Sequence, residues 1–541
     1  MLNNWRIFFI YTLIVYLIAF RAFSDLAIDN AFIVDTFFIA QLGWREINGL
    51  SPVLDYTHFY GGVTAKAIAA AFKIFGATLK ALDYAYLILF ALVASFTLLL
   101  GYRRTSSQST ALIILLSASI LIGPLSIEDG YSPIVNHSFV YNHFGMGLLL
   151  AVTLFVLNPI SGSQPHDYVA SFFCGTLLTV LALTKPTFAF SIPFFILVLV
   201  IQNQYRICAI VLLGMLITTL ITDPNLKRFL GSLYTILESG AAERSGGPLG
   251  RSAHAYMTLI MHAGFLLGLL YFWQFLYHRA ALPARRLIVC HALCIAGFFV
   301  ATLTMNGRPH LMLLPALILI LLFTAEKLDG DKARKALIVS NSFAAIIVFP
   351  SLLFASSTWL ASVNARQYQL VTYGPLVDYA FTDPNSEMSR LSNTSIKVRR
   401  VLAIQEAYDR LSKSGPAQNR DAYVELSDGI SLLATLENID TKRIITANGM
   451  IDFSFPMKSI PVSSFPVWPN KDRMKGIDLA QVDIIMSKRF VDKNLFLTDG
   501  LRSQIDQDFI LCKHSKFFIL LVRRDQFTSM CEDSQAAPSL P

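Results

Sequence analysis

Long apolar stretches separated by short polar ones run from the start of the chain to about Ser356. The first is Trp5 to Phe23, and others fall near 84–101, 110–124, 143–158, 169–183, 187–202, 207–222, 255–277, 287–305, 310–325 and 337–356. Crossing the hydrocarbon core takes about 20 apolar residues in an α-helix. The pattern therefore predicts about eleven membrane spans, with several of them short. Trp5 to Phe23 has no small-residue cleavage site and reads as a retained helix, not a signal peptide. The stretch 169–202 also reads as a helix pair with a partly re-entrant turn.

The pattern changes after about Ala361: charged residues become common and apolar runs shorten to strand length. Ala422–Leu426, Arg443–Ala447, Val482–Ser487, Asp508–Cys512 and Phe517–Val522 predict short buried strands. Ile396–Leu411 and Ile430–Leu436 read as helical between them. Strands alternating with helices predict a small soluble α/β domain over 361–541, behind a membrane module over 1–356. Phe453–Pro469, rich in Phe, Pro and Ser, reads as a packed loop. The tail contains neither a Gly-rich phosphate loop nor a nucleophile elbow. The fold class expected is thus a polytopic α-helical membrane protein with a carboxy-terminal α/β domain.

Composition agrees. The chain is 54% hydrophobic and only 15% charged, against about a quarter charged in soluble proteins. Its net charge of +8 is not a nucleic-acid signal, because much of it sits in short loops where basic residues set topology. Arg6, Arg103/Arg104, Arg206, Arg279/Arg285/Arg286 and Lys327/Lys332/Arg334/Lys335 fall on one face, expected to be cytoplasmic. The loops 25–82, 125–142 and 223–254 and the turn Asn306–His310 then lie on the outer face. An odd number of spans puts the tail there too. Cys512 and Cys531 are the only cysteines of that tail. On an outer face they are expected to form a disulfide, the alternative being two free thiols.

The first outer loop carries the most chemistry. Asp25, Asp29 and Asp35 are interleaved with Phe32, Ile33, Phe37 and Phe38 at the expected membrane edge. Carboxylates beside apolar residues at that depth are paired, solvated or functional. A desolvated one can act as a general base near neutral pH. Asp25 and Asp29 read equally well as helix caps.

Asp35, Asn48-Gly49, Pro52, Asp55-Tyr56 and Tyr60-Gly61 follow in that order, with Phe75-Gly76 before the second span. This run resembles the first loop of the C superfamily of glycosyltransferases (GT-C), polytopic enzymes that use polyprenyl-phosphate sugars. Thr36 stands where the second acid of the pair is expected, and Gly62 where a Pro follows the Tyr-Gly. The resemblance implies Asp35 as the catalytic residue, Asp55 and Tyr56 at the substrate, and transfer by direct displacement with inversion. It implies a polyprenyl-phosphate-linked sugar as donor and a glycan or lipid as acceptor. A bacterial inner membrane is the expected location ahead of the endoplasmic reticulum, and the outer-face tail is then periplasmic.

Other residues are candidate contacts. Lys185, in Thr184-Lys185-Pro186, interrupts an apolar stretch, and a lipid phosphate is a natural partner for it. Arg308 and His310 open a span, where an Arg suits bidentate phosphate binding and a helix-start turn is the plainer alternative. Arg244 and Arg251 flank Gly246-Gly247-Pro248 in a loop that reads either as a flap or as a connection. Lys66, Lys73 and Lys80, seven apart, would share a helical stripe facing phosphates or simply snorkel. The sequence identifies no cofactor with certainty, and a divalent metal is compatible with it. Glu128 and Asp129, with His137 and His143 nearby, are compatible with a divalent metal, although a solvated loop accounts for them more simply. An O-antigen polymerase or ligase and a transporter are the competing classes. The acid-led first loop argues against the former, and the lack of paired repeats against the latter.

Overall fold

The computed structural model describes residues 33–56, 58, 62–101, 125–126, 130–131, 140–157, 165–244, 282–302, 368–371, 379–382, 422–447, 452–463, 465, 477–488, 499–515 and 517–531. The expected spans at Trp5–Phe23, 110–124, 255–277, 310–325 and 337–356, and the helix Ile396–Leu411, lie outside the described residues.

Four described helices are long and apolar enough to cross a membrane: α3 (Lys80–Gly101), α4 (Val140–Leu157), α5 (Pro165–Thr184) and α7 (Tyr205–Thr222). Each covers a stretch expected to span. Helix α4 is buried along its whole length and forms the middle of the bundle. Helix α7 keeps Leu212, Leu213, Leu216, Leu220 and Ile221 exposed. A face of that composition suits lipid, not water.

Helices α5 and α7 meet at backbone distance. A Cβ on Gly175 would come within 2.0 Å of the Val211 carbonyl oxygen, and one on Gly214 within 2.3 Å of the Phe172 carbonyl oxygen. Small residues at such crossings let helices associate where lipid gives no hydrophobic driving force. Two polar contacts finish the seam: the Thr218 hydroxyl donates to that of Thr176 at 3.0 Å, and the Thr179 hydroxyl to the Met215 carbonyl at 3.2 Å.

The stretch expected as a span at 187–202 is not one α-helix. Pro186, which has no N–H, ends α5 at Thr184, and a 3-10 helix runs over Pro186–Ser191 before α6 (Ile192–Ile201). At about 2.0 Å and 1.5 Å per residue the two segments together reach about 27 Å, close to the hydrocarbon thickness. Helix α9 (Leu282–Thr302) packs on both of them.

Before the bundle, the first loop folds as α1 (Ile33–Ile47), a tight turn over 51–56, and α2 (Val63–Phe75), which stops at Gly76 with φ +87°. The stop separates Lys66 and Lys73, exposed on α2, from Lys80, which opens α3. The expected three-lysine stripe is therefore broken, because the left-handed glycine redirects the chain after the second lysine. A short hairpin pairs β1 (Leu125–Ser126) with β2 (Gly130–Tyr131). After α7, Asp223 caps α8 (Lys227–Arg244) by accepting the backbone N–H groups of Arg228 and Phe229. A second hairpin pairs β3 (Tyr368–Val371) with β4 (Tyr379–Thr382).

The carboxy-terminal region contains a four-stranded sheet ordered β5 (Ile444–Thr446), β6 (Ile484–Lys488), β8 (Phe518–Arg523), β7 (Phe509–His514). β5 and β6 are parallel, and the other two pairings antiparallel. All four strands fall where the sequence predicts them. The fifth expected strand, Ala422–Leu426, is instead the start of α10 (Ala422–Leu433). Five residues cannot distinguish a period of two from one of 3.6. The longer window does, since Leu426, Ile430 and Leu433 are all buried at helical spacing.

Neighbouring strand residues point to opposite faces. Ile444, Ile484 and Leu520 join one apolar cluster, and Ile445 and Ile485 another, which Leu501 and Ile505 of α11 (Asp499–Asp508) cover. The first cluster also contains Phe37, Phe72 and the core of the membrane helices, so sheet and bundle share one continuous apolar interior. Helix α12 (Phe527–Cys531) is tied to β7 by the expected disulfide, Cys512–Cys531, with Cα atoms 5.7 Å apart.

Gly175→Leu is expected to force α5 and α7 apart, costing at least about 1–3 kcal/mol and lowering the melting temperature in detergent. An unchanged melting temperature would refute the close crossing. Neither Cys512 nor Cys531 should react with a thiol reagent until reduction, and the double Ser variant should lose about 3 kcal/mol.

Candidate functional site

Helix α1 carries Asp35 in its first described turn, and nearly everything after it is buried: Thr36 through Leu42, then Arg45. Phe38, one turn beyond Asp35, sets its ring against His58 at 5.5 Å. Gln41 and Arg45 are one helical turn apart and so share a face. That face meets the loop 452–465 of the carboxy-terminal region.

The contact centres on Asp452. Its Oδ2 accepts Arg45 Nη2 at 2.8 Å and Gln41 Nε2 at 2.7 Å, while its Oδ1 accepts the backbone N–H of Ser454 at 2.9 Å. Gln41 Nε2 also donates to Ser454 Oγ, and Arg45 Nη1 donates to the Phe465 carbonyl, both at 2.5 Å. The Arg45 guanidinium lies 4.6 Å from the centre of the Tyr56 ring. Arg45 is wholly buried and Asp452 nearly so. A charge removed from water survives only when paired and hydrogen-bonded, and every one of these contacts serves that need.

Aromatic packing extends the contact. Trp44 Nε1 donates to the Ser459 carbonyl at 2.9 Å, and Phe455 stacks on Phe72 of α2 at 5.5 Å. Lys458 donates to the Ala77 carbonyl and lies over Phe455 and Trp44, at 4.6 and 5.1 Å from the ring centres. Burial pulls its ammonium down to about 8. The segment read from sequence as a packed loop is thus packed against the first loop.

Asp55 and Tyr56 belong to this cluster. Asp55 Oδ2 accepts the backbone N–H of Ser51 at 2.7 Å, closing the turn, in which Val53 takes φ +70°. A β-branched residue holds that left-handed conformation only when its surroundings impose it. Here Val53 N–H donates to the Tyr56 carbonyl at 2.8 Å, and its side chain lies against Gly231 of α8. Burial raises the Tyr56 phenol well above its ordinary range. Burial likewise raises Glu46, whose carboxylate lies in the field of Lys66 and Arg228.

Lys185 stands apart, at the break between α5 and the 3-10 helix. It is buried, its Nζ donates to Asn142 Oδ1 at 3.2 Å, and it lies 5.4 Å from the centre of the Tyr141 ring. Asn142 and His143 are in the first turn of α4. Helix α8 connects the two sites, touching both the 3-10 helix and the Val53 turn.

Of the remaining sequence candidates, Arg244 is the last residue of α8. Arg308, His310, Arg251, Glu128 and Asp129 lie outside the described residues. Among the described residues no three His, Cys, Asp or Glu side chains gather as metal ligands would. The sequence reading did not single out Gln41, Arg45 or Asp452. The signal available was a charge inside an apolar run at Met-Ile-Asp452-Phe-Ser-Phe, and a basic residue ending one at Phe-Ile-Ala-Gln-Leu-Gly-Trp-Arg45, before Glu46.

The architecture defines a polytopic integral membrane protein whose first loop is docked to a loop of the carboxy-terminal region. No family model matches the chain, and no curated protein does. Among solved structures it is similar to ArnT from Cupriavidus metallidurans in the apo state, at 11% identity over 99% of each chain, with a TM-score of 0.47. It is also similar to the Archaeoglobus fulgidus oligosaccharyltransferase in the apo form, at 11% identity over 90% of this chain and 69% of that one, with a TM-score of 0.39.

Arg45→Met leaves the Asp452 carboxylate buried without its counter-charge, which is expected to cost about 3–5 kcal/mol. Asp452→Asn should also destabilise. The double variant should cost clearly less than the two together, because the partners share one interaction. Strictly additive losses in detergent unfolding would show that the pair does not act as one.

Proposed function

We propose that the chain is a GT-C-type membrane glycosyltransferase, moving a sugar from a polyprenyl-phosphate donor to an envelope glycan or lipid acceptor at the outer membrane face. The observation that carries the reading is the first loop. Its acid-led sequence, Asp35 through Tyr60-Gly61, is the part that resembles the superfamily. The described part of it forms a buried helix, a strained turn and a second helix beside the apolar bundle.

The proposed reaction is a single displacement. The acceptor hydroxyl oxygen bonds to the anomeric carbon as the bond from that carbon to the phosphate oxygen breaks, with inversion. Asp35 takes the hydroxyl proton, and the polyprenyl phosphate leaves with the bonding pair. A general base contributes about 10²–10⁴-fold, and cations near the leaving phosphate stabilise its developing charge. Lys185 and Arg308 take that role, with Asp55, Tyr56, His310, Arg244 and Arg251 as further candidate contacts. The buried position of Lys185 at a helix break supports its part. Were a divalent metal used, Glu128 and Asp129 would be its candidate ligands.

The same proposal puts about eleven spans in a bacterial inner membrane and the region 361–541 in the periplasm as a soluble α/β domain. Two observations support it. The loop 452–465 touches α1, which supports a first loop and a tail on one side of the membrane. The bridge Cys512–Cys531 belongs to an oxidising compartment.

Asp35→Asn, at matched expression, is expected to lower transfer from a labelled polyprenyl-phosphate sugar in membrane extracts by at least about 10²-fold. Activity near that of the unaltered chain would remove Asp35 from the base role. Lys185→Met should raise the apparent KM for donor more than that for acceptor; an unchanged donor KM would place the phosphate elsewhere. Mass spectrometry of envelope glycans with and without the protein would identify the product. Reporter fusions at the chain end should report the periplasm.

A further inference from the structure

Asp452 lies 417 residues beyond Asp35 in the sequence, yet it holds the helix that carries Asp35. From this we infer that Arg45, Gln41 and Asp452 are positioning residues, and that the loop 452–465 is a working part of the transfer site. This rests on the proposed transfer reaction and adds to it a role for the carboxy-terminal region.

Helix α1 is rigid, so its orientation at Gln41 and Arg45 sets its orientation at Asp35, six and ten residues earlier. At about 1.5 Å per residue that is only about 9–15 Å along the axis. Hydrogen bonds from three side chains fix the far end. Arg45 and Gln41 bind one carboxylate oxygen from the same helical face. Arg45 also reaches the Phe465 carbonyl, and Trp44 reaches the Ser459 carbonyl. These contacts point in different directions, so they resist rotation about the axis as well as sliding along it. A rotation of about 10° would move a side-chain tip about 6 Å from the axis by about 1 Å. Misplacing a reacting group by that much lowers rate by about 10²-fold.

Apolar packing alone does not give this directionality. Phe37 and Phe72 meet Phe455 through ring faces and edges, contacts that tolerate small rotations. The carboxylate of Asp452 does not, because its Oδ1 is already committed to the Ser454 N–H and its Oδ2 must serve both Arg45 and Gln41. The turn at Ser454 thereby transfers the position of the sheet region to α1.

The test compares Asp452→Asn, Arg45→Lys and Trp44→Phe with the unaltered chain in detergent, by hydrogen–deuterium exchange and by steady-state transfer. Asp452→Asn keeps the shape of the side chain and removes its charge. Exchange in 36–47 should rise about 10-fold or more while α4 stays protected, and kcat should fall about 10- to 100-fold with donor KM within about twofold. Arg45→Lys, which retains the charge, should recover part of the kcat that Arg45→Met loses. Trp44→Phe removes one attachment only and should give a smaller change in the same direction, keeping the idea testable if Asp452→Asn fails to accumulate. Unchanged exchange in 36–47, or full kcat with raised exchange, would overturn the positioning role. A fall through donor KM alone would overturn it too, pointing to binding. Failure of the transfer reading is recognised separately, because the unaltered chain would then transfer no sugar before any variant is made.

Discussion

A carboxylate and a guanidinium shut away from water, Asp452 and Arg45, are the constraint on which the arrangement around the first loop depends. Neither charge is tolerable alone at that depth. Each therefore requires the other's segment to be in place, and with it the segments that supply the remaining hydrogen bonds: Gln41 on the same helix, Ser454 and Phe465 on the tail loop. Tyr56 closes the far side of the guanidinium. One ion pair thus ties together the start of the described chain, the strained turn after α1, and a loop more than 400 residues away.

Hydrophobic burial supplies the bulk of the stability here but little of the specificity. The apolar interior runs without interruption from the membrane helices through Phe37 and Phe72 to one face of the sheet. Burial is proportional to area and has no direction, so many arrangements of these elements would bury similar surface. Polar contacts select among them. At the Asp452 cluster they set how the tail meets the first loop. Within the bundle, Gly175 and Gly214 let backbones touch, and the Thr176–Thr218 hydrogen bond sets their register.

The second polar feature of the bundle, Lys185, obeys the same rule. Pro186 breaks the helix and frees backbone groups, which a bilayer tolerates only where protein satisfies them. The 3-10 segment does so in part, with Phe188 N–H donating to the Lys185 carbonyl at 2.9 Å. The buried ammonium finds an amide and an aromatic face on α4. Helix α8 then links this break to the turn at Val53, so both polar clusters lie on one connected framework.

Much of this was legible in the residues themselves, for a physical reason. Membrane helices and buried strands declare themselves by local composition, because their solvent or their sheet faces impose a pattern on consecutive residues. Hence the spans at α3, α4, α5 and α7 and the strands β5 to β8 lie where the pattern puts them. With no other cysteine in the tail, the sequence left Cys512 and Cys531 as either a bridge or two free thiols, and the fold brings them together as the bridge. Local pattern failed where two periods fit the same five residues, at Ala422–Leu426, and where a single backbone angle, at Gly76, redirected the chain. It could not show which charges meet. Asp452 looked like a lone charge in an apolar run and Arg45 had Glu46 beside it, and nothing in either segment names a partner 407 residues away. Only the folded chain decides that, because a buried charge is satisfied by whatever the tertiary structure brings within about 3 Å of it.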